Sequence, residues 1–563
     1  MSNFFKDNKD INFLLTHLDL SEIITLKEKG FIDAPQFDYA PSSVAEAMEN
    51  YHIILEILGE ICGKTIYPNA REVDIEGARF ENGEVYYAKG TQENLKRLRQ
   101  AELMGFTLPR RYGGLNLPKT IYSLAIEMVS RADASLMNLF GLQEIADTIY
   151  RFGNEQQRER YLPRFASGEV SGAMALTEPD AGSDLQAVSM KAEQGANGIW
   201  YLTGVKRFIT NGCGNILLVL ARSEKGSKGG RGLSLFIYER DHTMRIRHIE
   251  EKLGIHGSPT CELQFDRSPA ELLGERRMGL VKYTLSLMNG ARLAVSAQAV
   301  GIAEAAYRCS KAYAESRTQF GVPILTFPAI DEMLSLMKIK IEAARRLVFF
   351  TSNMVDLKEC MEENLSHKSG EGRELKKRIK KYTKFSALLT PMTKIFSTEM
   401  ANEICYDAIQ IHGGVGYTRD FEVERLYRDA RITNIYEGTT QLQVIAAIGG
   451  ITTGVIFELL KDLSHGIKSS YISILNGLTK ELNKCVEYVK VKDNETFRRL
   501  HSRRLVEMAT LITIAHLLAG DAPLTQERER LFYGYLQWCE EKIAQYKKRI
   551  LSDSDRILGI WRE

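Results

Sequence analysis

The spacing of apolar residues changes twice along this chain, and that change restricts the fold more than any other feature. From Ser42 to about Ser171, apolar residues recur three and four apart, as in VAEAMENYHIILEILGEICGKTIYP, a helical spacing interrupted by Gly and Pro. At Ala173 the texture becomes short β-branched and aromatic runs between Gly and Asn-Gly turns. GIWYLTGVKRFIT, GNILLVLARS and GLSLFIYER read as strands. The helical spacing returns at Arg276 and holds to about Ile448. GGITTG (449–454) reads as a hinge, and the residues beyond it are helical again. An amphipathic stretch also precedes the first region, FLLTHLDLSEIITLKEKGF. No repeat of solenoid period is present. The expected units are therefore 1–40, 41–172, 173–275, 276–450 and 451–563.

At 563 residues the chain exceeds what one core usually serves. Its 44% hydrophobic and 26% charged residues are those of a globular protein, and a net charge of +2 calls for no nucleic-acid partner. The eight cysteines are scattered, with no C-x-x-C pair and no zinc spacing, which reads as thiols of a reducing compartment and gives no metal site. The N-terminus MSNFFKDNKDINFLL lacks a secretory apolar segment. The longest apolar run, Leu511 to Ala519, is broken by His516, so no membrane span and a cytoplasmic location are expected.

Two Gly-rich segments imitate nucleotide sites. GEICGKT (59–65) has Leu58 where a P-loop needs its first Gly, and it lies within a helical pattern. HGGVGYTRD (412–420) is not G-x-G-x-x-G and follows no strand. There is no G-x-S-x-G and no H-E-x-x-H. The cations Lys376, Lys377, Arg378, Lys380, Lys381 and Lys384 read as a solvated helix face.

Three segments carry chemistry. MALTEPDAGSD (174–184) offers Thr, Gly and Ser for close approach to a polar ligand. VKRFITNG (205–212) is an aromatic-centred strand ending in Asn-Gly. AIQIHGGVGYTRDFEVERLYRDARITNIYEGTTQLQ (408–443) packs glycines and polar residues between two helices. Each alone is an ordinary turn, hairpin or helix connection, and Glu437 alone is an acid beside Thr439, a plausible helix cap. Together, and with LPRRYGGLNLP, SRTQFGVP (316–323) and LGIHGSPTCELQFD (253–266), they resemble the acyl-CoA dehydrogenase family from about residue 45 to 450. The length and extensions resemble the longer bacterial members.

That resemblance implies a mainly α fold with a central β-barrel domain, a helical bundle and an added C-terminal helical extension. It also implies FAD as cofactor. Met174, Leu176, Thr177, Phe208 and Thr210 would then line the flavin, Phe208 standing where many members have Trp. Arg317, Phe320, Gln410 and Gly414 resemble positions that hold a neighbouring subunit's FAD, while Pro328 replaces a Gln of some members. Thr439 and Gln441 match further FAD contacts. Ser183, Asn289, Arg292 and Gly438 match the acyl-CoA side, with Arg292 open to a structural role as well.

Glu437 matches the family's base. Desaturation removes a proton from Cα and a hydride from Cβ of a thioester, and a carboxylate in an apolar cleft is the more basic for its burial. In the family a backbone N–H at this Glu and a flavin hydroxyl polarise the thioester carbonyl. Some relatives carry the base one residue before the Arg of the CoA-side helix, a position held here by Ala291. The expected reaction is acyl-CoA to trans-2-enoyl-CoA, with electrons passing to an electron-transferring flavoprotein, in a homodimer. The alternatives are an acyl-CoA oxidase, or a DNA-associated flavoprotein of the same superfamily. The latter would bind DNA through its C-terminal region, but residues 451–563 carry only a slight and spread excess of 18 Lys or Arg over 15 Asp or Glu, which argues against it.

Overall fold

The computed structural model describes residues 3–367, 372–492, 494–552 and 558–562. An N-terminal extension carries α1 (Lys9–His17) and α2 (Ser21–Lys27). A helical region follows: α3 (Val44–Ile61), α4 (Tyr67–Glu76), α5 (Lys89–Gln100), α6 (Lys119–Ala132), α7 (Ala134–Phe140), α8 (Gln143–Phe152) and α9 (Glu155–Ala166). A small hairpin, β1 (Arg79–Glu81) and β2 (Glu84–Tyr86), lies between α4 and α5. Helix starts follow local chemistry. Ser43 accepts the Glu46 N–H at 3.2 Å, and Asn154 with Gln157 forms a reciprocal cap on α9.

The GEICGKT segment closes α3 and opens α4 through one wide helical turn, Cys62–Ile66, with Lys64 paired to Glu60 at 2.6 Å. Its glycine serves packing. A Cβ at Gly59 would fall 2.4 Å from Asn3 Oδ1, so only glycine admits the extension there. The extension has no core of its own: Phe4, Phe5, Ile11 and Leu14 share one apolar cluster with α3, α6 and the helices of the later bundle.

The β region comprises β3 (Gly172–Ala175), β4 (Lys191–Gln194), β5 (Trp200–Thr210), β6 (Ile216–Arg222), β7 (Leu233–Glu239), β8 (Met244–Ile249) and β9 (Thr260–Leu273). The order β6-β4-β5-β9-β7 closes on itself through β6–β7 pairing, giving a five-stranded barrel with β3 and β8 attached outside the ring. β6 and β7 are buried along nearly their whole length, which explains their continuous apolar runs.

The bundle begins with α10 (Leu285–Ser316), then the hairpin β10 (Thr318–Gln319) and β11 (Val322–Pro323). It continues with α11 (Pro328–His367), α12 (Gly372–His412), α13 (Val423–Ala430) and α14 (Thr440–Thr452). The tail adds α15 (Val455–Leu463), α16 (Ser469–Val491), α17 (Glu495–Asp521) and α18 (Gln526–Leu551). Two expectations need correction here. The GGITTG hinge is narrower than read: α14 runs through Gly449 and Gly450, and the chain breaks at Thr453–Gly454, where Gly454 has φ +90° and the helices bend by 77°. The Glu495–Leu524 stretch is, contrary to expectation, long and apolar enough to cross a membrane, with a mean hydropathy of 1.4. His516 does not interrupt it, because its Nδ1 meets the Ile512 carbonyl at 2.8 Å within the helix. The window is 89% buried among protein atoms, the pattern of an internal helix.

α17 is the axis of the tail. It packs on α14, α11, α12, α16 and α18, and one apolar cluster joins Leu347, Leu389, Met392, Val444 and Ile451 of the bundle to Leu505, Ile512 and Phe532 of the tail. The tail thus shares a core with the bundle face it covers.

Candidate active site

Glu437 lies in the turn between α13 and α14. Its φ is +53°, a region non-glycine residues rarely enter, and Gly438 follows at +92°. Three side chains hold this backbone. Arg292 Nε donates to the Glu437 carbonyl at 3.3 Å, and Gln443 Nε2 donates to the carbonyls of Glu437 and Gly438 at 3.2 and 3.0 Å. Lys394 Nζ donates to Thr433 O at 3.1 Å and Gly438 O at 2.8 Å. Gly438 suits its φ of +92°, and a Cβ there would fall 2.7 Å from Gln443 Nε2, displacing the amide that holds the turn.

The carboxylate is free of such ties. Among the described residues, no donor reaches the Glu437 carboxylate oxygens, and no acceptor takes its backbone N–H. Burial raises its pKa above the ordinary 4.5, against the pull of Lys394 and Arg292. The two cations move the opposite way. Burial lowers Lys394 to about 7 and also lowers Arg292. Beside Glu437, the Tyr436 hydroxyl bonds Gln298, whose Nε2 donates to Asn138 Oδ1 at 3.2 Å. Asn138 in turn donates to Ser258 at 3.2 Å. This chain ties α10 and α7 to the 253–260 segment of the β region, and Asp429 accepts the Ile255 N–H at 2.5 Å nearby. LGIHGSPT is therefore the joint between the barrel and the loop that carries Glu437.

The residues expected on the acyl-CoA side divide. Asn289, Arg292, Glu437 and Gly438 come together, with Arg292 Nη1 bonding Asn289 Oδ1 at 3.0 Å. Ser183 is exposed on the loop after β3 and shares no hydrogen bond with that group among the described residues. Ala291 is buried and Gly290 packs against Glu144. Thr439 occupies the N-cap position of α14, but its hydroxyl makes no capping bond, so the helix-cap reading of this acid's surroundings is not realised. Gln441 is exposed in the first turn of α14.

The flavin-side residues line one part of the barrel. Met174 and Thr177 are half-buried and Leu176 is buried. Lys206, fully buried, holds this loop by donating to Leu176 O at 2.8 Å and to Glu178 at 2.9 Å. Burial lowers its pKa to about 8. Phe208 sits in a bulge of β5 between Lys206 and Ile209, with φ +60° and 53% exposure. The bulge turns the ring outward, leaving a face free for a planar ligand. The Arg207 guanidinium lies 4.8 Å from that ring's centre. Thr210 ends the strand, half-buried, opposite Thr260.

Arg317, Phe320, Gln410 and Gly414 form a separate exposed group at the other end of the bundle. Tyr313 stacks on His412 at 4.4 Å and brings the ends of α10 and α12 together there. Phe320 is 94% exposed on the β10–β11 hairpin, and Pro328 opens α11. Arg292 and Arg317 stand on one helix 25 positions apart, roughly 38 Å at 1.5 Å per residue. The two ends cannot serve one flavin ring. Sequence reasoning passed over Lys394, Lys206 and Gln298. The available signal for Lys394 was a lone charge inside the apolar run LLTPMTKIFS.

Comparison with known proteins matches this arrangement along the chain. Acyl-CoA dehydrogenase N-terminal, middle and C-terminal domain descriptions match residues 49–169, 173–268, and 281–368 with 373–448. A fourth, "Acyl-CoA dehydrogenase C terminal", matches 452–552. The chain belongs to the acyl-CoA dehydrogenase family. The 3-methylmercaptopropionyl-CoA dehydrogenase of Ruegeria pomeroyi is 33% identical over 471 residues, covering 78% of this chain and 75% of that one. A chain from a study of the electron transferring flavoprotein of Acidaminococcus fermentans and flavin-based electron bifurcation is 33% identical, with a TM-score of 0.61 over 70% of this chain and 96% of its own. The acyl-CoA dehydrogenase of Bacillus anthracis complexed with FAD shares the fold, with a TM-score of 0.75 and 24% identity over 89% of this chain and 88% of its own. The family is FAD-dependent and its members are oxidoreductases.

The residues fit that cofactor. A half-exposed aromatic ring at Phe208 and the half-buried Met174 and Thr177 are of the kind a planar flavin would pack on, and the turn of Glu437 is anchored through its carbonyl with its side chain left unbonded.

Proposed function

We propose that this protein oxidises an acyl-CoA thioester to the trans-2-enoyl-CoA, with Glu437 removing the α-proton. The observation that carries the reading is a carboxylate whose backbone is held by Arg292, Gln443 and Lys394, while no donor among the described residues occupies its oxygens. Burial makes it a stronger base than a free carboxylate. Its turn presents the Glu437 N–H, without an acceptor among the described residues, as a donor for the thioester carbonyl. Thr177, Thr210 and Phe208 would hold the flavin from the barrel, and Thr439 and Gln441 would add contacts from the loop of Glu437. Ser183 and Asn289 flank the CoA arm. Bound FAD supplies the acceptor for the hydride that leaves Cβ.

The site is completed in a homodimer. Arg317, Phe320, Gln410 and Gly414 stand about 38 Å from Arg292 along the bundle, so they hold the FAD of a second copy. Electrons pass to an electron-transferring flavoprotein, a reading supported by similarity to the chain from Acidaminococcus fermentans. Oxygen consumption by the reduced protein separates this from an oxidase. The Glu437→Gln variant tests the base: it should keep FAD and lose about 10²–10⁴ in turnover. Near-normal flavin reduction by an acyl-CoA in that variant would remove Glu437 from the role. The same assay, run with straight, branched and thioether acyl groups, defines the substrate.

A further inference from the structure

We propose that Lys394 is the positioning residue of the base: its ammonium pins both ends of the Glu437 turn and sets the pH at which the carboxylate is charged. The proposal rests on the reading of Glu437 as base and assigns a role to a residue that reading does not require.

The geometry is specific. Lys394 projects from α12 with 1% exposure. Burying an ammonium costs several kcal/mol unless its protons are used, and an apolar residue would fill the same space without that cost. Its protons are used on the turn. Thr433 O and Gly438 O, the acceptors at 3.1 and 2.8 Å, flank residues 434–437, so one ammonium closes the segment that holds Glu437 at φ +53°. Hydrogen bonds to backbone carbonyls fix the turn whatever side chains it carries. Glu437 therefore needs no partner on its own oxygens to stay in place.

The charged groups around Lys394 come from four elements. Glu437 faces it from the turn, Arg292 from α10, and Glu399 from its own helix. Glu399 accepts from Thr440 Oγ1 at 2.6 Å and has Arg503 of α17 beyond it at 3.7 Å, so part of its charge is already engaged. Lys394 and Arg292 are the cations acting on Glu437. A protonated Lys394 favours the Glu437 anion and opposes the effect of burial. Removing that charge must therefore raise the pKa of the base, and the acid limb of the rate profile must move to higher pH.

The experiment is rapid mixing of the FAD-loaded dimer with acyl-CoA across a pH series, reading flavin bleaching. Lys394→Met should slow bleaching about 10–100-fold through a loosened turn. Its acid limb should rise by roughly 1–3 pH units. Lys394→Gln returns an N–H donor without charge, so it should recover rate while its limb stays high. This split is one that a merely structural lysine would not produce. If Lys394→Met fails to retain FAD, the limb of Lys394→Gln decides: a raised limb supports the proposal and an unmoved limb overturns it. Wild-type rate and profile in Lys394→Met also overturn it. Glu437→Gln is run alongside. Its near-normal bleaching would mean the base reading itself fails, whereas its inactivity beside wild-type-like Lys394 variants would sink only the role of Lys394.

Discussion

Two clusters of charge lie within this bundle, one largely buried and one with only Lys394 fully buried, and they are built on opposite plans. Around Arg345, four cations (Arg345, Lys338, Arg308 and Arg528) meet four acids (Asp10, Glu127, Glu304 and Glu342). The acids accept charged hydrogen bonds directly: Glu127 from Arg345 at 2.9 and 2.7 Å, Glu304 from Arg345 at 2.8 Å, and Asp10 from Arg528 at 2.6 Å. Burial works to raise Glu304, but Arg345, Arg308 and Lys338 outweigh it and hold the carboxyl at about 2. Asp10 is held well below the usual range against the same penalty. Burial wins at the other two acids of this cluster, raising Glu127 and Glu342 despite Arg345, and it wins around Glu437 as well. Burial outweighs the cations, the carboxyl is raised, and Lys394 falls to about 7. Burial alone thus does not mark a reactive group. What separates the clusters is that the first spends its donors on carboxylate oxygens and the second spends them on carbonyls, leaving the Glu437 carboxylate without a donor among the described residues.

The first cluster also shows what the tail does. Arg528 of α18 reaches Asp10 in the N-terminal extension, 518 positions away in sequence, and Arg346 of α11 bonds Asp521 at 2.7 Å. Cutting the chain at Gly454 should have the largest effect of any change considered: it removes Arg528 from Asp10 and Glu342 and uncovers Leu389, Met392 and Val444. Light scattering should find a full-length dimer and a truncated protein that aggregates or forms larger oligomers. A clean, soluble truncated dimer would show that neither the charge cluster nor the apolar face depends on the tail.

Next in size is Arg345→Met. It leaves four buried acids short of a partner and should destabilise the fold by about 3–5 kcal/mol in denaturant unfolding. A loss no larger than that of a surface substitution would erase the distinction between the clusters. Arg317→Ala should be milder, lowering FAD retention and dimer association together while leaving the fold intact, as read by gel filtration with flavin absorbance. A monomer that keeps all its FAD would contradict the division of the cofactor contacts between two chains. The smallest expected effect is on the stability of Glu437→Gln. Because burial disfavours the Glu437 anion, the amide should cost the fold nothing or stabilise it slightly, in contrast to Arg345→Met. A marked stability loss would mean that the carboxylate holds structure.

Much of this was legible in the chain before folding, because it is carried by local pattern. The strand-rich region from Ala173 appears as the barrel, and the motif around Glu437 picks out the turn that Arg292, Gln443 and Lys394 hold. What was illegible is long-range. Lys394 is an ordinary lysine until α12 brings it under a turn 43 positions later, and Asp10, Glu127, Glu304, Glu342 and Arg528 have no spacing that links them. The tail helix α17 was underestimated because His516 reads as a polar break, whereas its bond to Ile512 O lets the helix carry it inward. The hinge was drawn too wide for a similar reason. Gly450 reads as flexible, but it serves close packing, since a Cβ there would lie 3.0 Å from Leu388.

The central claim is that Glu437 is a carboxylate made basic by its surroundings. The most direct test is the pH dependence of flavin bleaching in a single turnover of the FAD-loaded wild-type protein with acyl-CoA. A base with a raised pKa is charged only above that value, so the rate should fall as pH drops through it, at a midpoint clearly above the ordinary carboxylate value of 4.5. A rate that stays level down to 4.5 or below would contradict the account.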